Sequence, residues 1–213
     1  MRLYAITDRR LLPGTHVAGR LSPAERDGLV RLAGEWAAIG VEYVQLREKD
    51  LGRQELGELA GAMMTAIGGR AKLLVNAGAA GAAEVVRTVG AAGVHLPGRW
   101  ITEQVGMARI AGMVSVGCHS VGEVAVARAV GADMALLSPI FATESHPEAR
   151  PLGLETLAEA CRAAGKMPVF ALGGVNAENA AACIEAGAAG VAGIRTFLSG
   201  QWSAGQPEET RHG

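Results

Sequence analysis

Gln45, Arg47 and Lys49 stand at alternate positions in the run Gln45-Leu46-Arg47-Glu48-Lys49. An extended chain turns every second side chain to the same face, so an amide and two cations converge there. Such a set holds a phosphate or a carboxylate. The plainer alternative is a solvated charged loop, but this run directly continues an apolar strand. Gly173-Gly174 and Gly193 follow two further apolar runs. Glycine lets backbone N–H groups approach an anion closely, and a following helix start adds a favourable dipole. In a chain with 30 glycines they could also be ordinary turns. His119, next to Cys118, offers an imidazole able to move protons near neutral pH, or one that only hydrogen-bonds ahead of the helix from Ser120. His95 lies inside its strand, opposite in parity to Val94 and Leu96, and is expected to pack in the interior. Cys118 as a nucleophile rests on one thiol beside a histidine, a weak signal.

These residues share a position in a repeating pattern. A helix-like stretch ends in glycine, a short step follows, and four or five apolar residues come next. The pattern recurs around Gly40, Gly90, Gly131 and Gly187, each read as a helix stop before a strand. Further short apolar runs are Leu3–Ile6, Lys72–Val75, Met113–Val116 and Pro168–Leu172. That makes eight strands, with helices expected near 23–39, 53–67, 80–89, 101–111, 120–130, 154–164, 176–186 and 196–200. Ser22 and Asn176 read as N-caps, with Pro23 at the first helical position. Strands separated by helices run parallel. Eight such units in 213 residues predict a single-domain α/β fold, a closed (β/α)8 TIM barrel over residues 1–202. No glycine fingerprint of a dinucleotide fold follows Ile6. Residues 203–213 read as a polar, disordered tail.

In a barrel, residues just after each strand meet at one mouth. That expectation gathers Gln45, Arg47, Lys49, Asn76, His119, Ser138, Gly173, Gly174 and Gly193 as candidate site residues. The segment 138–152, which includes His146, is the longest connection and reads as a lid. The net charge of −1 and 4% aromatic content give no reason to expect nucleic-acid binding. No apolar run reaches membrane-spanning length, and the N-terminus lacks the apolar core of a signal peptide. Three scattered cysteines form no metal spacing and no disulfide framework. A cytoplasmic protein with a small-molecule partner is expected, with a homo-oligomer left open.

Six ordered motifs add a resemblance: Leu3-Tyr4-Ala5-Ile6-Thr7-Asp8, Val44-Gln45-Leu46-Arg47-Glu48-Lys49, Gly93-Val94-His95-Leu96, Ser138-Pro139-Ile140-Phe141-Ala142-Thr143, Pro151-Leu152-Gly153-Leu154, and Ala171 through Asn179. Over about residues 2–198 the chain resembles the thiamin phosphate synthase superfamily, which includes the synthase and the thiazole tautomerase. The resemblance implies a TIM barrel with a thiazole phosphate ligand. In the synthase a pyrimidine diphosphate is held through Mg²⁺ by carboxylates after the third and fourth strands. Here those places read Asn76-Ala77-Gly78 and Pro97-Gly98-Arg99-Trp100. Gly117 and His146 also depart from the synthase's serine and lysine. All four departures touch the diphosphate, so the expectation is the tautomerase branch. It implies an isomerase aromatising a thiazole carboxylate phosphate with His119 as proton shuttle, no metal ligand and no cofactor. The alternatives are a thiamin phosphate synthase using Mg²⁺ on rearranged ligands such as Asp8 or Glu48, and a non-catalytic thiazole or thiamin phosphate-binding barrel.

Overall fold

Gly40, Gly90, Gly131 and Gly187 all take positive φ, between +70° and +100°. Each turns the chain out of a helix and into the next strand, at a conformation side-chain-bearing residues resist. The computed structural model describes residues 1–109, 111–144, 148–198 and 202. Eight strands alternate with eight α-helices: β1 (Arg2–Ile6), α1 (Pro23–Ala38), β2 (Tyr43–Leu46), α2 (Arg53–Ile67), β3 (Lys72–Asn76), α3 (Ala82–Val89), β4 (Gly93–Leu96), α4 (Ile101–Arg109), β5 (Met113–Cys118), α5 (Val121–Ala129), β6 (Met134–Leu137), α6 (Gly153–Ala164), β7 (Val169–Ala171), α7 (Ala180–Glu185), β8 (Gly190–Gly193) and α8 (Arg195–Leu198). The strands close in sequence order into a barrel. All pairs are parallel, and β8 returns to β1 with Val191 opposite Leu3. This is the expected (β/α)8 architecture.

Alternation along the strands builds two apolar layers. Ala5, Val44, Leu46, Val75, Val94 and Val116 face the helices and join the large outer cluster. Tyr4, Ile6, Tyr43, Leu74, Met134, Leu136 and Phe170 fill the barrel interior. Tyr4, Tyr43 and Phe170 form an aromatic triangle with ring centroids 5.6–5.8 Å apart.

Ser22 caps α1 as expected, in a reciprocal capping box with Glu25. Asn176 does not start α7. Its Oδ1 instead accepts from the backbone N–H groups of Glu178 and Asn179, at 2.9 and 3.1 Å. That local turn competes with helix, so α7 begins at Ala180 with Asn179 as its cap residue. Trp202 is buried and stacks on Phe197 at 5.7 Å. The tail expected at 203–213 lies outside the described residues. No helix among the described residues is long and apolar enough to cross a membrane.

Candidate active site at the barrel mouth

Side chains that follow the strands enclose an open basin of about 1320 Å³ at the C-terminal end of the barrel. Gln45, Arg47, Lys49, Asn76, His119, Ser138, Gly173, Gly174 and Gly193 all line it. Residues that the sequence reading missed, Arg10, Arg99 and Glu123, line it as well. Arg10 and Arg99 sit in short 3-10 turns, Arg9–Leu11 and Gly98–Trp100, where the two-residue period of the strands has lapsed.

The basin has two unlike sides. On the β1–β4 side, Lys49 is surrounded by cations. Burial and then Arg47, Arg99 and Arg10 hold its ammonium below the ordinary lysine range. The Arg99 guanidinium lies over the Trp100 ring at 4.9 Å. Arg47 reaches one carboxylate, Asp8, at 4.0 Å, while Asp8 is bonded to Arg10 at 2.6 Å. An anion bound here would relieve the mutual repulsion of these cations.

On the β7–β8 side the chain is short of side chains. Gly173 and Gly174 have φ of +88° and +66°. No described backbone carbonyl accepts from either amide. Asn179 donates its side-chain N–H to the Gly174 carbonyl at 2.9 Å, and Thr196 donates its hydroxyl to the Val175 carbonyl at 2.9 Å. The first bond closes the β7–α7 loop on itself and the second ties it to the segment after β8; neither occupies the Gly173 or Gly174 amide, and amides of this kind can donate to an anion. A Cβ on Gly174 would press to 2.8 Å from the Phe141 side chain. Gly174→Ala is therefore expected to cost about 1–3 kcal/mol through backbone strain, with added steric conflict, and to weaken inorganic phosphate binding. A chemical denaturation curve and a phosphate titration check this; unchanged values for both would remove the loop from the site.

His119 stands between the two sides. Its Nδ1 lies 2.9 Å from the Ser138 carbonyl oxygen. A carbonyl only accepts, so the neutral ring carries its hydrogen on Nδ1 and leaves Nε2 bare. The ring bonds the Ser138 carbonyl and does not itself cap α5. Ser120 caps α5 by accepting from the Glu123 N–H, and the His119 backbone N–H donates to Glu123 Oε2 at 2.7 Å. His95 is buried, as expected, with Nδ1 3.0 Å from Ser115 Oγ. Burial pushes the Cys118 thiol up to about 12, so it is inert as a nucleophile near neutral pH. His146 lies outside the described residues.

The acidic groups near the mouth that the structure describes are mostly engaged by neighbouring side chains. Asn76 turns its Oδ1 back onto the Gly78 N–H at 2.9 Å. Glu48, on the opposite face from Arg47 and Lys49, accepts from the Thr7 hydroxyl at 2.7 Å and from Arg9 at 3.0 Å. Asp8 is committed to Arg10, and Glu144 pairs with Arg195 at 3.4 Å. A cation at Asp8 or Glu48 would therefore compete with the arginine that each already bonds. Among the described residues, no group of three His, Cys, Asp or Glu side chains could hold a metal ion.

Residues 3–197 match the family model described as thiamine monophosphate synthase. The chain is 39% identical over 200 residues to an Aquifex aeolicus protein provisionally named thiamine-phosphate synthase 2, covering 92% of this chain and 97% of that one. It is 39% identical over 204 residues to the thiamine-phosphate synthase of Methanoculleus marisnigri, covering 92% and 87%. The solved thiamine phosphate pyrophosphorylase of Pyrococcus furiosus superposes with a TM-score of 0.72 at 28% identity, over 95% of this chain and 89% of that one. With its barrel and residues 3–197 accounted for by these likenesses, the chain belongs to the thiamine monophosphate synthase family.

Proposed function

We propose that the chain acts on a thiazole phosphate in thiamine phosphate assembly, and that its reaction is the isomerisation that aromatises a thiazole carboxylate phosphate. The donor set of the mouth carries this reading. Cations without a carboxylate cluster face one side, and glycine amides face the other. The phosphate seats on Gly173, Gly174 and Gly193. Arg47 and Lys49 hold the carboxylate, while Gln45, Asn76 and Ser138 border the ring. His119 takes a proton from the ring carbon at its bare Nε2 and returns a proton to the exocyclic carbon. One C–H bond breaks and another forms, the double bonds shift into the ring, and no electrons enter or leave. Such a step needs neither a metal nor a redox cofactor.

A second reading is the coupling of a pyrimidine diphosphate to the thiazole phosphate. The relatives favour it, because both curated proteins above carry the synthase name. Weighed by names alone it is the stronger of the two. The mouth would have to meet the diphosphate with Arg47, Lys49 and Arg99 in place of carboxylate-held Mg²⁺.

The two reactions are separated by assaying the purified protein for each, with and without EDTA. Isomerisation at the same rate in EDTA is the expected result. Thiamine phosphate formation that EDTA abolishes, with no isomerisation, would overturn the first reading in favour of the second. Thermal stabilisation by thiazole phosphate with no turnover in either assay would leave a binding protein.

A further inference from the structure

Asn76 and Gln45 stand near the ends of the adjacent strands β3 and β2, with their side chains turned into the barrel. Leu74 and Tyr43, two residues earlier on the same faces, belong to the interior layer. Both amides line the basin, yet the two residues are only 3% and 1% exposed. A side-chain amide has an oxygen that accepts and a nitrogen that donates, and the fold takes up the oxygen of each. Asn76 Oδ1 accepts from the Gly78 N–H at 2.9 Å. A backbone N–H can only donate, so this bond fixes which end of the amide is which. Gln45 Oε1 accepts from the Tyr4 hydroxyl at 3.2 Å. Tyr4 is fully buried and packs its ring on Tyr43 and Phe170, at 5.6 and 5.7 Å. Among the described residues no acceptor meets either amide nitrogen, and neither nitrogen is sealed from the basin.

Two N–H₂ groups thus face the floor of the mouth from neighbouring strands. Arg47 and Lys49, which continue the run after Gln45 and line the same basin, add only donors. A carboxylate, with two oxygens that only accept, satisfies such a set. The cations attract its charge, and the two short, nearly buried amides fix its direction. A ligand with a bare C–H at that place would displace water and leave the donors unpaired, a loss of about 10–100-fold in affinity.

We propose that Asn76 and Gln45 are a specificity-determining donor pair that recognises the carboxylate on the ring of the substrate, with Tyr4 as the positioning residue that turns the Gln45 N–H₂ toward the mouth. The pair separates a thiazole phosphate that carries a ring carboxylate from one that lacks it. The inference rests on the proposed function for the identity of the ligand, and goes beyond it in assigning the discrimination to these side chains.

The test is calorimetric titration of the full chain with thiazole carboxylate phosphate and with thiazole phosphate, in wild type, Asn76→Asp and Tyr4→Phe. Asn76→Asp keeps an oxygen for the Gly78 N–H and exchanges the N–H₂ for a second oxygen. Tyr4→Phe keeps the ring contacts, changes no charge and removes only the hydroxyl. The readout is the ratio of the two affinities, which a general loss of folding or of phosphate binding does not move. Wild type is expected to favour the carboxylated compound by about 10–100-fold. The preference is expected to vanish or reverse in Asn76→Asp, and to fall about 3–10-fold in Tyr4→Phe. Equal affinities in wild type, or a ratio unchanged in both variants, overturn the donor pair and leave the functional reading standing. A ratio that moves in Asn76→Asp alone is a bare charge effect and also overturns the pair. Binding of neither compound to wild type overturns both the pair and the functional reading.

Discussion

Replacing His119 with alanine is expected to lower the isomerisation rate about 10²–10⁴-fold while leaving thiazole phosphate affinity within about threefold, the loss typical when a positioned general acid–base group is removed. The expectation follows from what the ring does and does not touch. Its Nδ1 hydrogen is held by the Ser138 carbonyl, and its backbone N–H by Glu123. The side chain is exposed, so alanine leaves no cavity in the core. The loops proposed to seat the phosphate are fastened by Asn179 and Thr196 through the Gly174 and Val175 carbonyls. The effect should therefore fall on kcat, with KM nearly unchanged. Steady-state kinetics on the thiazole carboxylate phosphate, beside calorimetric titration with thiazole phosphate, separate the two quantities. A variant with full turnover would take His119 out of the mechanism. One with normal kcat and a large rise in KM would make it a binding residue only.

What the sequence disclosed follows the reach of its periodicities. Gln45, Arg47 and Lys49 came from parity along an extended run, and parity is a local property that the barrel preserves. Gly173, Gly174 and Gly193 came from position after a strand, which the closed topology turns into proximity. Arg10 and Arg99 escaped because both sit in 3-10 turns, where neither the strand nor the helix period predicts direction. Asn176 misled because an asparagine before a helical run can cap it or close its own turn, and residue type alone does not choose. Asp8 and Glu48 show the same limit for charge. Each is an acid near the mouth, but the cations that engage them, Arg10 and Arg9, approach from segments whose paths depend on the fold. The absence of carboxylates at Ala77 and Arg99 was legible directly, since a missing functional group needs no geometry to be missing.

Arg9→Ala is expected to destabilise the fold by about 3–5 kcal/mol, because removing one partner of a buried ion pair leaves an uncompensated charge. Arg9 is 1% exposed. It bonds Glu48 at 3.0 Å and Asp50 at 2.7 and 2.8 Å, and its Nε comes within 3.6 Å of Glu25. Burial pushes the Glu48 carboxyl upward, and the bonds from Thr7 and Arg9 work against that. Without the guanidinium, Glu48 would have to take up a proton or draw in water. The cost would not stay local. Glu48 lies between Arg47 and Lys49, Glu25 sits in the first turn of α1, and Asp50 accepts from the Gly19 N–H. One side chain thus joins the β1 turn, the start of α1 and the loop that presents both cations to the mouth. Arg9→Lys should recover only part of the loss, since an ammonium lacks the planar fork that bonds both Asp50 oxygens while reaching Glu48. Denaturant unfolding of the three proteins measures the loss, and KM for the phosphate substrate should rise in the variants while kcat changes less. A midpoint within experimental error of wild type for Arg9→Ala would mean that water replaces the guanidinium without penalty, and that the cations on β2 are held by the barrel alone.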